Sequence, residues 1–137
     1  MPKQIRTRPA TSKDGKIALL KAQQFLDEAN DAFKKERWDA AGLNSIHSSI
    51  CGADAMLIFA AGIRCAAQDH SSVVNLLEKY VKGFKGSPRT QLVGLLKMKN
   101  DVAYEQRLIS QAESQRIVLA ANRFMTWVQQ HTDSVKK

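Results

Sequence analysis

The segment KMKNDVAYEQR, residues 97 to 107, gathers a cation, an amide and a phenol as Lys99, Asn100 and Tyr104, with Lys97 and Arg107 beside them. An ammonium holds a phosphate as a point charge, and an amide adds a donor and an acceptor. A phenol gives up its proton only near pH ~10, so at neutral pH it is a poor base. The set reads as a weakened phosphodiester-cleaving site, as a nucleotide contact, or as solvated helix.

A second polar pair interrupts the most apolar region. His47 and Asp54 stand seven residues apart, on the same side of a helix as Cys51, and Asp54 is the only charge between Ala40 and Ile63. A buried ion must be paired, which leaves two readings. Either the histidine and the carboxylate are satisfied within the core, or Asp54 meets Lys99 across a bundle and ties both to one cleft. Cys51 and His47 lack a second ligand pair at zinc-like spacing, and one helix cannot surround an ion, so no metal or other cofactor is expected. Ser48 and Ser49 follow His47 directly and point elsewhere on a helix, which argues against a hydrolase triad. Phosphate-loop and dinucleotide signatures are missing. His70 follows Asp69 at a helix start, where capping explains the pair, and His131 falls in the tail.

The elements that must position these groups read as helices. Ala18, Leu19, Ala22, Phe25, Leu26, Ala29 and Phe33 recur at three and four residue spacings behind a cap between Thr11 and Asp14, and that helix ends around KKER. Trp38 and Asp39 open a second helix with Leu43, Ile46, Ile50, Ala53, Leu57 and Ala60 on one seam. Its small residues, Gly52 and Ala53 among them, admit close neighbours, which predicts a central position, and Gly62 weakens its continuation. A third helix is predicted over Ser71 to Val81 with Asp69 or Ser71 as its cap, followed by the loop KGFKGSPR. Leu92, Leu95, Leu96, Val102 and Ala103 make the stripe of a fourth helix, with Lys99 in its middle and Asn100, Tyr104 and Arg107 on its flank. Ser110 and Glu113 form a capping box that opens a fifth helix carrying Ile117, Ala120, Ala121, Phe124 and Val128.

No stretch alternates long enough for a sheet. The expectation is an all-α, antiparallel four- to five-helix bundle over residues 14 to 130, with a flexible basic arm at 1 to 13 and a frayed tail at 131 to 137.

Composition fits one such domain: 137 residues, 44% hydrophobic and 25% charged. The apolar region from Leu43 to Ile63 carries too many polar residues for a membrane span. Cys51 and Cys65 lie in alanine-rich surroundings, and MPKQIRTRPA lacks a secretory core, so reduced thiols in a cytoplasmic protein are expected. The net charge is +8, and from Lys79 to Asn100 six cations stand with no acid. Such a field favours polyanions such as RNA, DNA or nucleotides, and it also serves solubility.

The run AGLNSIHSSICGADAMLIFAAGIRCAAQDHSSVVNLL, followed by LVGLLKMKNDVAYEQRLISQAESQRIVLAANRFMTWV, resembles the HEPN domain (higher eukaryotes and prokaryotes nucleotide-binding) in its small stand-alone bacterial form. The resemblance spans residues 14 to 130. It rests on the small-residue second helix, the DHSSVVNLL turn, the basic-Asn-x-x-x-Tyr piece and SQAE opening the last helix. It implies a helical bundle that dimerises, and in many members a metal-independent ribonuclease, often a toxin encoded with a nucleotidyltransferase antitoxin.

In the family's motif an arginine and a polar residue precede a histidine, with the histidine handling protons and the arginine holding phosphate. Here Lys99 stands for the arginine, Asn100 for the polar residue and Tyr104 for the histidine; in a second register Lys97 and Val102 match the arginine and histidine. Both registers lack the proton-transfer residue. The resemblance therefore implies RNA or nucleotide binding through Lys97, Lys99, Asn100, Tyr104 and Arg107, with His47 and Asp54 in support and weak or absent cleavage. Two alternatives stand beside it: an active ribonuclease using His47 or Tyr104, and a non-catalytic module that partners a nucleotidyltransferase. A homodimer is expected under all three, since Lys99 interrupts an apolar stripe that helps build the family's dimer cleft.

Overall fold

The computed structural model describes residues 4–67, 69–104 and 106–136; residues 1–3 of the arm, the last residue of the tail and the His70 side chain lie outside them. The element order is β1 (Thr7–Pro9), α1 (Ser12–Lys34), α2 (Trp38–Ala61), β2 (Ile63–Cys65), α3 (His70–Tyr80), α4 (Ser87–Ala103) and α5 (Gln111–Lys136). Local chemistry accounts for most of these boundaries. Thr11 and Asp14 exchange the two hydrogen bonds of a capping box at α1, and the Asp69 carboxylate accepts from the Ser72 N–H at α3. Ser110 and Glu113 form the second box, each backbone N–H reaching the other's side chain at 3.0 Å. Gly62 ends α2 in the left-handed region at φ 65°, with its N–H on the Ile58 carbonyl.

Helix α2 is the axis. Its seam residues Ile46, Ala53 and Leu57 have no exposed surface, and α1, α4 and α5 pack around it. The three-residue turn 35–37 folds α1 back antiparallel: Phe33 lies on Trp38 at one end, and a side chain at Gly15 would collide with Phe59 at the other. Helix α4 is antiparallel too, with Leu92 near Ala53 and Val102 near Gly42. Helix α5 runs parallel to α2, since Ser114 donates to the Trp38 carbonyl while Met125 packs on Gly52. Helices α1 and α4 thus run antiparallel to α2, and α5, antiparallel to the α4 that precedes it, returns in the direction of α2.

Four expectations change. The arm is not wholly free, for β1 pairs with β2 in the register Thr7↔Cys65, Arg8↔Arg64 and Pro9↔Ile63. Strands this short leave no period to read, so a sheet was invisible in the sequence. Helix α4 begins at Ser87, inside the segment read as a loop, because Pro88 fits a first turn whose N–H groups need no partner. It ends at Ala103, so Tyr104 is its C-cap and Arg107 lies in the following loop, not on the helix flank. The tail is helical through Lys136, with the His131 ring against Trp127 and Thr132 buried. No helix is long and apolar enough to cross a membrane among the described residues.

Candidate functional site: a trough along the central helix

Among the described residues the Cα atoms of α1 and α4 stay more than 8 Å apart, so α2 shows a strip between them. That strip holds His47, Ile50, Cys51 and Asp54, all half-buried, spaced so that each lies a turn from the next pair. Helix α5 closes the opposite side. The result is a trough floored by α2 and walled by α1 and α4.

At one end Lys99 stands across from His47, as the antiparallel register of α4 on α2 requires. Lys99 is half-buried in its stripe, which the sequence reading anticipated. Burial holds the His47 imidazole below its ordinary value, and the Lys99 ammonium pushes it further the same way. The ring rests on Phe25 of α1 with centroids 5.6 Å apart. The pair is therefore an ammonium beside a neutral imidazole.

Two helical turns away, about 10.5 Å along the axis, Asp54 has different company. Burial raises its carboxyl, and the Arg64 guanidinium of β2 partly offsets that. The charge that acts on Asp54 is thus Arg64, whereas Lys99 acts on His47 two turns away. Asp54 lines two cavities. One, of about 260 Å³, is bounded by Asp14, Lys21, Cys51 and Arg64, and the other, of about 160 Å³, by Ile50, Val73, Leu92 and Leu96. Burial and the neighbouring Asp54 both raise the Cys51 thiol, which favours its protonated form.

The remaining candidates are dispersed. Asn100 is exposed on α4, and its carbonyl accepts the Tyr104 N–H at 2.9 Å. Tyr104 is 71% exposed at the helix end. Lys97, two residues before Lys99, faces the other way, toward a groove between α3 and α4 shared with Asn75, Val93 and Leu96. Arg107 places both terminal nitrogens on the Glu113 carboxylate at 3.1 and 3.0 Å, with Asp101 at 3.8 Å. This grip holds Glu113 down to about 2.

Lys21 and Arg64 were not singled out from the sequence. Lys21 is one of several exposed lysines on α1, and Arg64 is placed by a strand too short to read. No cluster of three or more metal-ligating side chains occurs among the described residues. Comparison with protein-family models gives no match, and comparison with curated proteins gives none.

Proposed function

We propose that this chain is a HEPN-like protein that binds RNA or a nucleotide, gripping phosphate through Lys99 with His47 beside it, and cleaves weakly or not at all. The observation that carries the reading is the Lys99–His47 pair at the α2–α4 seam. A cation half-buried in an apolar stripe interacts with an anion more strongly than one in bulk water. A neutral imidazole adds a hydrogen-bond donor at neutral pH without repelling the lysine. Exposed Asn100 and Tyr104 at the end of α4, and the basic surface from Lys79 to Asn100, extend the reach for a polyanion. Lys97 serves the neighbouring groove, and Arg107, pinned by Glu113, shapes the loop beside the site.

The test is RNA binding by purified protein across a salt series. Lys99→Ala should weaken binding and lower the logarithmic salt slope by about one. Unchanged affinity and slope would overturn the proposal.

One observation favours a second reading, an active metal-independent ribonuclease: a neutral imidazole next to a fixed cation is a base beside a phosphate clamp. His47 would take the proton of a ribose 2′-hydroxyl as its oxygen bonds to phosphorus, the bond to the 5′-oxygen breaks, that oxygen takes up a proton from solvent, and the imidazolium returns its own proton to solvent. Cleavage of labelled RNA in EDTA, abolished by His47→Ala, supports it; intact RNA argues against it. RNA neither bound nor cut would favour the interaction module, partner of a nucleotidyltransferase, for which exposed Tyr104 and Leu108 offer an apolar contact. The protein is proposed to act as a homodimer, and a monomeric mass by light scattering at micromolar concentration would exclude that.

A further inference from the structure

The far end of the trough holds a carboxylate that phosphate binding at Lys99 does not use. Asp54 is the one charge on the otherwise uncharged stretch of α2 from Ala40, and no hydrogen bond or ion pair to it occurs among the described residues. It stands between two cavities whose linings differ. The smaller is lined by Ile50, Val73, Leu92 and Leu96 together with Asp69, and the larger by Lys21 and Arg64 together with Asp14. Arg8 stands directly opposite Arg64 on the ribbon, so two like charges sit side by side at this end. Like charges across a strand pair are unfavourable unless something negative lies near, and Asp14 and Asp54 line the same cavity as Arg64.

An ionised carboxylate only accepts hydrogen bonds, and it does so with two oxygens side by side. The complementary group presents two adjacent N–H donors. Of the four RNA bases, only guanine does so on its Watson–Crick edge, with N1–H and the N2 amino group together. Adenine and cytosine each set one amino group beside a ring nitrogen acceptor, which would face the second carboxylate oxygen unfavourably. Uracil sets one N–H between two carbonyls.

We propose that Asp54 is the base-reading residue of the trough: it accepts N1–H and N2–H from a guanine lodged against the apolar cavity wall, while Lys21, Arg64 and Arg8 meet the flanking phosphates. The proposal rests on the RNA-binding reading above and deepens it from charge recognition to base recognition. Single-stranded RNA is read in this way, by splayed bases hydrogen-bonded on their Watson–Crick edges. The separation of Asp54 from His47 along α2, with Lys99 on α4 across from His47, lets one strand engage both. An acceptor beside a carboxylate is left unpaired, so the site rejects adenine and cytosine as well as favouring guanine.

The experiment measures fluorescence anisotropy of the full chain with short oligouridylates carrying one central guanosine, adenosine or inosine. Wild type should bind the guanosine strand roughly tenfold or more tighter than the adenosine strand, the size expected of one bidentate base contact. Inosine, which keeps N1–H and lacks the amino group, should fall between them. Asp54→Asn, which keeps the shape of the side chain, should bind all three alike, with thermal melts confirming its fold. Equal binding of all strands by wild type, or a guanine preference that survives in Asp54→Asn, would overturn the inference and leave the Lys99 reading standing. Failure of wild type to bind any strand would overturn both.

Discussion

At the scale of single residues, buried polar atoms make the sharpest predictions. The Ser45 hydroxyl is fully buried and finds no partner among the described residues, whereas the neighbouring Ser49 hydroxyl donates to the Ser45 carbonyl at 3.0 Å. An unmet hydroxyl costs on the order of 1 to 3 kcal/mol, so Ser45→Ala should raise stability by about 1 kcal/mol in a denaturant melt. A loss instead would mean that the hydroxyl is bonded in solution. His47 makes a prediction about pH. Its folded-state value lies below the ordinary 6.5. Between the two values the unfolded chain binds a proton that the folded chain does not, so stability falls as pH drops through 6.5 and the loss is complete below the folded value. The fall in melting temperature between pH 7 and 5 should be smaller in His47→Gln than in wild type. Equal falls would show that the imidazole is not perturbed.

At the scale of elements, two junctions decide how the site is held. The turn between α1 and α2 places Glu36 at φ 61°, a conformation that costs a side chain energy and glycine almost none. Glu36→Gly should leave the fold unchanged and raise stability by up to about 1 kcal/mol, and a clear drop on urea unfolding would contradict that. The second junction is Asp39 in the first turn of α2, whose carboxylate accepts the Ile109 N–H from both oxygens, at 3.4 and 3.2 Å. This bond fastens the loop between α4 and α5 to the start of the central helix. Asp39→Ala should cost roughly 1 to 3 kcal/mol, because it strands a partly buried donor. It should also speed hydrogen exchange at Ile109 and loosen Tyr104 beside it; unchanged exchange there would argue against the tie.

These junctions also explain what could be read in advance. Lys99 stood out as a candidate because it breaks a long periodic stripe, and His47 because it is a polar residue in the most apolar region. The caps at Thr11, Asp69 and Ser110 were legible because their chemistry is local. The end of α4 was not, because the Asp39 carboxylate that anchors the loop beyond it lies seventy positions earlier. Arg64 beside Asp54 was hidden for the same reason, since only the ribbon to Thr7–Pro9 brings it there.

At the scale of the whole molecule, that ribbon belongs with the bundle and not with a trailing arm. Beyond its strand register, the Ala10 N–H reaches the Gly62 carbonyl and the Ala66 N–H reaches the Arg6 carbonyl, both at 2.9 Å. Removing residues 1 to 10 deletes these bonds, and at about 1 kcal/mol each the loss should approach 2 kcal/mol while helical circular dichroism is retained. A shortened chain that melts like the full one would show that the ribbon contributes no stability. The same deletion removes Arg8 and frees Arg64, so the Asp54 end of the trough should lose more affinity than the Lys99 end.

The ribbon also has a place in time. Helices α1 and α2 are joined by three residues and meet over their full length, so their contacts close a short loop and can form early. Thr7 and Cys65 are separated by both of those helices, and pairing them must await the hairpin that brings their ends together. Closing that longer loop costs more chain entropy and returns only a few hydrogen bonds. Within the unit built from the ribbon, α1 and α2, the last structure to assemble and the first to open is then the end of the trough where Arg64 stands by Asp54.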